Sequence, residues 1–499
     1  MVTFCISLIA LVLGYLLYGR FVDRVFGPDD RVTPAIAMAD GVDHIVLPNW
    51  KVFMIQFLNI AGTGPIFGAI MGAKFGPVAY LWIVLGCIFA GSVHDYFTGM
   101  LSMRNGGASC PEIVGKYLGD KARKVMLVFS VLLLLMVGTV FVFSPATILQ
   151  EYGGTALLWI ICIFVYYIVA TVLPIDKVIG RFYLMFAIAL LFMVAALMVC
   201  LFVEWPLLPE LWSHPENMGK AADSSFTDQV FPCMFITIAC GALSGFHATQ
   251  SPLMARCLSS ERKGRAVFYG SMITEGLVAL VWAAVSMYFF YGEPAPGYQL
   301  IESVGNKGFL TSAPAVVNIM CNSWLGVTGG ILAILGVVAA PITSGDTAFR
   351  SARLIIAEAF HIEQRTIPKR LLVSLPLFGV SLALLIWQVE DANGFNTIWQ
   401  YAGWSNQALA VFMLWAITVY LIRQKKNYWI ALIPALFMTC VCFTFLFISK
   451  LTFHLPEVIA YVAGGACMVI AIFWFYVWYY RNKNRGPAAA AVVLQEKRE

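Results

Sequence analysis

Charge is what this chain has least of. Asp, Glu, Lys and Arg make up 12% of its 499 residues, about half the share found in a soluble domain. That scarcity, with 60% hydrophobic residues and a mean hydropathy of +0.81, excludes a soluble globular fold. No G-x-x-x-x-G-K-[ST] run is present, which excludes ATP-driven work by a phosphate loop in this chain. The twelve cysteines are scattered without a C-x-x-C pair, and Cys440 and Cys442 point to different helix faces. Neither a disulfide framework nor a zinc site is favoured, and the cysteines read as small apolar packing residues. No basic residue precedes the apolar run Val2 to Tyr18 and no small-residue cleavage site follows it. An uncleaved first helix is expected.

What is abundant is long apolar segments. Thirteen spans are expected, at about 2–19, 51–73, 76–103, 124–148, 155–173, 180–203, 229–256, 265–291, 325–350, 370–388, 397–422, 428–449 and 457–480, each near the roughly 20 residues that a bilayer core demands. Sorting Lys and Arg into alternate loops places 28 of the 32 on one side, leaving Lys74, Lys220, Lys307 and Lys450 on the other. By the positive-inside rule the N-terminus lies outside and the C-terminus in the cytoplasm. The net charge of +5 therefore follows topology and gives no reason to expect a nucleic-acid partner.

Two spans are interrupted near mid-membrane depth. One carries Ala61-Gly62-Thr63-Gly64-Pro65, the other runs from Gly241 through Ser244, Gly245, His247, Thr249 and Gln250 to Ser251-Pro252. Irregular backbone survives in hydrocarbon only where protein or a lined cavity satisfies it. Proline at the first helical position loses no bond, so Thr63 or Gly64 before Pro65, and Ser251 before Pro252, predict helix restarts. Two half-helix N-termini would then aim free N–H groups at one anion-sized place. The interrupted spans run in opposite directions, so spans two to six and seven to eleven form inverted five-helix units. This all-α polytopic arrangement, with one leading and two trailing helices, is the LeuT-type architecture. Expected units are 1–50 (leading helix and cytoplasmic loop), 51–203 and 229–422 (the repeats), 428–480 (the trailing pair) and 486–499 (a disordered cytoplasmic tail). Residues 293–324 are expected to form an extracellular loop with short helical pieces.

The strings Ala61 to Gly68, Gly91-Ser92-Val93-His94-Asp95-Tyr96, Ser244 to Pro252 and Pro341-Ile342-Thr343-Ser344-Gly345-Asp346-Thr347-Ala348-Phe349-Arg350 resemble the signature segments of the carbon-starvation (CstA) transporters, in a short form. The resemblance implies uptake of a small carbon source across a bacterial or archaeal inner membrane, with pyruvate favoured and peptides the alternative.

The residues themselves suggest roles. Gly62, Thr63, Gly64 and Pro65 suit close approach of a carboxylate to backbone donors, although Gly64 and Gly68 also fit tight helix packing. Ser244, Gly245, His247, Thr249 and Gln250 crowd polarity into an apolar span and are further candidates for substrate contact. His94, Asp95, His247 and Glu275 lie at hydrocarbon depth and are proton-relay candidates; Asp95 equally suits bonding to exposed backbone of a broken helix. His94 and Asp95, about 100° apart on a helix, are expected to serve different neighbours. Thr343 and Ser344, with freed carbonyls such as that of Ala61, match a cation site, and back-bonding within the helix is the alternative. Asp346 either charges that site or pairs with Arg350 at i, i+4. Trp399 to Gln407 supply aromatics and amides for an outer gate, although Trp399 is better read as an interfacial anchor, and Asn406 and Gln407 need partners in the scaffold.

The leading expectation is a secondary transporter, not an enzyme, that imports a small carboxylate with H+ or Na+ and needs no cofactor. Peptide or amino-acid uptake on the same scaffold is the alternative. A membrane enzyme using His94, Asp95 and His247 as metal ligands or acid-base groups, or a ligand sensor, stands behind both.

Overall fold

The computed structural model describes residues 1–172, 175–214, 218, 229–291, 313–364, 366–391 and 394–482. Among these residues every regular element is helical. The main helices are α1 (Val2–Phe26), α2 (Asn49–Ile60), α3 (Gly64–Gly72), α4 (Val78–Arg104), α5 (Asp120–Leu149), α6 (Ala156–Val172), α7 (Ile175–Glu204), α8 (Gly245–Ala255), α9 (Glu261–Tyr291), α10 (Gly329–Ala359), α11 (Ile367–Glu390), α12 (Gly394–Arg423), α13 (Trp429–Ile448) and α14 (Glu457–Asn482). Ten helices are long and apolar enough to cross a membrane, or eleven if the bent pair at residues 49–75 counts as one span. The expected thirteen are reached only by adding α6, which has 17 residues, and the segment 230–255, which is cut into Val230–Met234, Phe235–Thr237 and α8.

Both expected interruptions are present. Ala61 leaves the helix with φ −82° and ψ 54°, α3 restarts at Gly64 with Pro65 in its first turn, and the pair bends by 44°. In the second, Ile238 departs with φ −96° and ψ 64°, and Gly241 turns the chain with φ +88°, a left-handed conformation that glycine adopts without strain. Here the structure corrects the sequence reading. The restart is at Gly245 after an extended Ser244, while Pro252 lies inside α8. The Gly241 turn and a cap from α12 set the earlier start, and α8 tolerates the single lost N–H at Pro252.

The interrupted helices occupy the centre. α8 packs against α4, α12 and α2, and α3 against α9, while α10 runs along α5 and α7. Burial separates centre from rim: the most apolar stretch of α9 is 83% buried, that of α14 only 11%. The exposed face of α14, with Phe473, Trp474 and Tyr476, is suited to lipid. Residues 313–324, in the expected outer loop, are helical and continue through a kink at Gly326 into α10. The rest of that loop before Ala313, and the expected tail at 486–499, lie outside the described residues. At the start of α1, Glu210 accepts from the backbone N–H of Val2 at 2.8 Å and of Thr3 at 2.7 Å.

Candidate functional site

The two interruptions lie against each other. A Cβ at Gly64 would overlap the Cys240 side chain, one at Gly68 would stand 3.0 Å from the Thr237 carbonyl oxygen, and one at Gly241 would lie 3.7 Å from Pro65 Cβ. The glycines therefore serve close packing as well as openness at the break. Beside this contact lies a cavity of about 50 Å³ lined by Gly64, Phe141, Cys240, Phe246, Trp399 and Asn406 among others. Its walls are mostly apolar, which suits the methyl end of a small solute, and Asn406 and Cys240 supply polar atoms.

Of the nine residues expected to touch substrate, only Gly64 lines this cavity. Gly62 is pressed under Phe141, whose Cζ would be 2.5 Å from an added Cβ. Gly245 is pressed against α12, where a Cβ would meet the Ala410 nitrogen at 2.5 Å. The Ser244 hydroxyl donates to Asn406 Oδ1 at 3.0 Å, the Thr249 hydroxyl to the Phe246 carbonyl at 2.6 Å, and Gln250 Nε2 to Thr249 Oγ1 at 2.8 Å. The buried Thr63 hydroxyl has no hydrogen-bond partner among the described residues, and Pro65 occupies the first turn of α3. His247 is directed elsewhere, as described below.

Side chains from neighbouring helices satisfy the freed backbone, as a dry break requires. Asn406 Oδ1 accepts from the Phe246 N–H at 2.6 Å and so caps α8. Gln407 Nε2 donates to the carbonyls of Leu243 and Phe235 at 2.9 and 3.0 Å, and Trp82 Nε1 to that of Ile238 at 2.8 Å. At the first break the Ser344 hydroxyl donates to the Leu58 carbonyl at 2.7 Å. Trp82, Cys240 and Phe246 escaped the sequence reading. Position was the available signal, since Cys240 directly precedes the glycine of the second turn.

Behind the second break four titratable residues converge with no exposure at all. Asp95 Oδ2 lies 2.8 Å from His247 Nδ1, and its Oδ1 lies 2.8 Å from His94 Nδ1. The other ring nitrogen of His247 stands 3.3 Å from Glu275 Oε2. His94 and Asp95 thus contact each other, contrary to the expectation of separate neighbours, because Asp95 bridges both imidazoles. A π-helical turn at Cys87–Gly91 precedes them on α4, and Gly91 lets the Ala242 carbonyl of the second break approach. Widened turns of this kind often mark functional sites.

On α10 the expected hydroxyl pair divides. Thr343 back-bonds to the carbonyls of Ala339 and Ala340 at 3.0 and 2.8 Å, while Ser344 reaches the first break, where Ala61 is buried. Asp346 Oδ2 accepts from the Tyr183 hydroxyl at 2.9 Å, and the same hydroxyl lies 2.9 Å from the Thr343 carbonyl oxygen. Arg350 donates from Nη2 to the Ala170 carbonyl at 2.8 Å, and its Nη1 lies 3.8 Å from Asp43 Oδ1.

Known proteins resemble this chain in sequence and in fold. The sequence profile of the family described as carbon starvation protein CstA matches residues 1–153, 146–293 and 299–445. A membrane protein of Haemophilus influenzae is 43% identical over 338 residues, covering 58% of this chain and 90% of its own. The peptide transporter CstA of Escherichia coli is 24% identical over 554 residues, covering 86% of this chain and 78% of its own. Among solved structures, a substrate-bound, outward-open Na+-coupled sialic acid symporter superposes with a TM-score of 0.51 at 14% identity, covering 93% of this chain and 96% of that one. With the profile spanning most of its length and a LeuT-type fold, this multi-pass membrane protein belongs to the CstA carbon starvation family of transporters.

Proposed function

We propose that the chain imports a small organic acid, pyruvate or a carboxylate of similar size, across the cytoplasmic membrane by alternating access. The observation that carries this reading is the pair of interrupted helices in contact beside a small, mainly apolar cavity. The α3 N-terminus and the α8 N-terminus both belong to these interruptions, and the positive end of each helix dipole favours a carboxylate there. The cavity's small volume, about 50 Å³, favours a compact solute over a peptide. Peptide uptake is the second reading, since the E. coli relative is called a peptide transporter. In the proposed orientation the N-terminus faces outward and the C-terminus the cytoplasm.

Coupling has two candidate seats. The His94, Asp95, His247 and Glu275 cluster suits a proton, because imidazole and carboxylate exchange one over hydrogen-bond distances. Ser344, Thr343 and Asp346, with the carbonyls of Leu58 and Ala61, suit a hard cation that takes oxygen ligands. Uptake of radiolabelled pyruvate into proteoliposomes, challenged with unlabelled dipeptides, tests the substrate: competition by peptides without pyruvate uptake rejects pyruvate. Collapsing the proton and sodium gradients separately in that assay assigns the coupling ion. If protons drive uptake, Asp95→Asn and Glu275→Gln abolish accumulation; if sodium does, Ser344→Ala has that effect.

A further inference from the structure

Cys240 has been treated so far as a cavity wall, yet its sulfur belongs to a second constellation. Cys240 Sγ, a ring nitrogen of His247 and a carboxylate oxygen of Glu275 all lie within 4.8 Å of one another. His247 and Glu275 are completely buried, and His247 Nε2 and both Glu275 oxygens have no hydrogen-bond partner among the described residues. Three groups able to ligate a metal thus converge where two buried side chains, His247 and Glu275, meet at 3.3 Å without a well-formed hydrogen bond.

The surroundings orient this set. Asp95 Oδ2 sits 2.8 Å from His247 Nδ1, so a carboxylate accepting that N–H leaves the Nε2 lone pair directed away from it, toward Glu275. A carboxylate behind an imidazole is the usual support of a metal-ligating histidine, fixing its tautomer and raising its basicity. The opposite oxygen of Asp95 is held by His94 Nδ1 at 2.8 Å, which restrains the carboxylate in turn. Charge points the same way. The cluster brings two carboxylates, Asp95 and Glu275, into a dry interior, and a bound cation offsets the cost of burying them.

We propose that Cys240, His247 and Glu275 form a binding site for a divalent transition-metal ion of the zinc class, positioned by Asp95, on the wall between the second break and the cavity. One thiolate, one imidazole and one carboxylate make a borderline-soft ligand set that suits Zn2+ or Co2+ better than Mg2+ or Ca2+. With bonds of about 2.0 to 2.3 Å, ligand atoms of a tetrahedral site stand roughly 3.3 to 3.8 Å apart; His247 Nε2 and Glu275 Oε2 already stand at 3.3 Å, so binding needs only a small approach of Cys240. Cys240 lines the cavity, which gives the ion its route in. Binding deprotonates the thiol and releases one proton to solvent. The three ligands come from the unwound turn, α8 and α9, so a bound ion fastens the second break to a flanking helix and arrests any rearrangement that separates them. The site is accordingly inhibitory, and its occupancy is independent of which solute is carried.

The test uses purified full-length protein titrated with Co2+. A stoichiometric thiolate-to-cobalt absorption band in the near ultraviolet is expected, displaced by Zn2+. Cys240→Ser removes the band and Glu275→Gln weakens binding at least tenfold, whereas Cys467→Ser, on the lipid-facing α14, leaves both unchanged. In a parallel thermal unfolding series Zn2+ raises the midpoint of the wild type and not of Cys240→Ser, which also reports that the variant is folded. Absence of the band, its persistence in folded Cys240→Ser, or an equal Zn2+ shift in both proteins overturns the proposal; in that event the His247 to Glu275 contact holds only a proton.

Discussion

Asn406 on α12 caps α8 across the helix interface, its side-chain oxygen accepting from the backbone N–H of Phe246 at 2.6 Å. Asn406 also borders the cavity, so the cap and the proposed solute site share one residue. Replacing it separates the two proposed substrates. Asn406→Ala loses a cap worth about 1 kcal/mol and lowers thermal stability accordingly. Asn406→Asp keeps the cap and adds a negative charge beside the cavity. For a monoanion such as pyruvate, the expected outcome is a larger rise in KM for Asn406→Asp than for Asn406→Ala. Equal effects in a concentration series would argue for a zwitterionic solute.

Gly64 offers a steric test of the contact between the breaks. Gly64→Ala pushes a methyl group into Cys240, and overpacking of this kind costs roughly 1 to 3 kcal/mol. Uptake is expected to fall at least tenfold with a lowered unfolding midpoint. Adding Cys240→Gly removes the obstructing side chain and restores much of both; failure of the double variant to recover stability would place the strain elsewhere.

The segments that follow α4 and α8 are tied by ion pairs. Arg256, just after α8, places Nη2 2.5 Å from Glu358 Oε1 and donates from Nε to the Gly107 carbonyl at 2.8 Å. Arg104 makes a two-point contact with Glu261 at 3.0 and 2.9 Å. Cys257 next to this tie is fully buried, and burial pushes its thiol up to about 12, so alkylation of the wild type is slow. Glu358→Gln loosens the closure and is expected to speed labelling of Cys257 about tenfold, equivalent to about 1.4 kcal/mol. Site-resolved mass spectrometry reads the rate, and an unchanged rate rejects a gating role for the pair.

Glu210 gives a prediction about pH. Burial alone would raise its carboxyl, but the N-terminal ammonium, the Thr3 hydroxyl and the N–H groups of Thr3 and Val2 hold it below the usual carboxylate range. A depressed folded value means that stabilisation is complete above the unfolded-state value and declines as pH falls through the folded one. Glu210→Gln therefore costs about 1 kcal/mol of stability at neutral pH, read as a lower unfolding midpoint. The gap between variant and wild type closes in acid. A gap independent of pH would mean that the carboxylate charge contributes nothing.

The architecture was legible in the sequence because the bilayer enforces it. Span length and loop charge are read directly, and Gly62 to Pro65 announced the first interruption in both place and restart. The second was harder. Pro252 looks like a helix start, but the start lies at Gly245 because a residue of another helix, Asn406, supplies the cap, and no local pattern encodes a partner so distant in the chain. For the same reason the sequence gathered His94, Asp95, His247 and Glu275 as candidates by their depth, yet gave no sign that Asp95 would join both histidines. Cavity-lining Phe141, Cys240 and Phe246 look like ordinary apolar filler until the fold apposes them.

The narrowness of the hollow beside Gly64 and Cys240 has a mechanical corollary. The volume is about 50 Å³, so a guest larger than the hollow must prise the two kinked backbones apart as it settles. Part of the attraction between guest and host is then converted into displacement of the walls, so a cargo held through many contacts can register only modest affinity while still driving the carrier through its cycle.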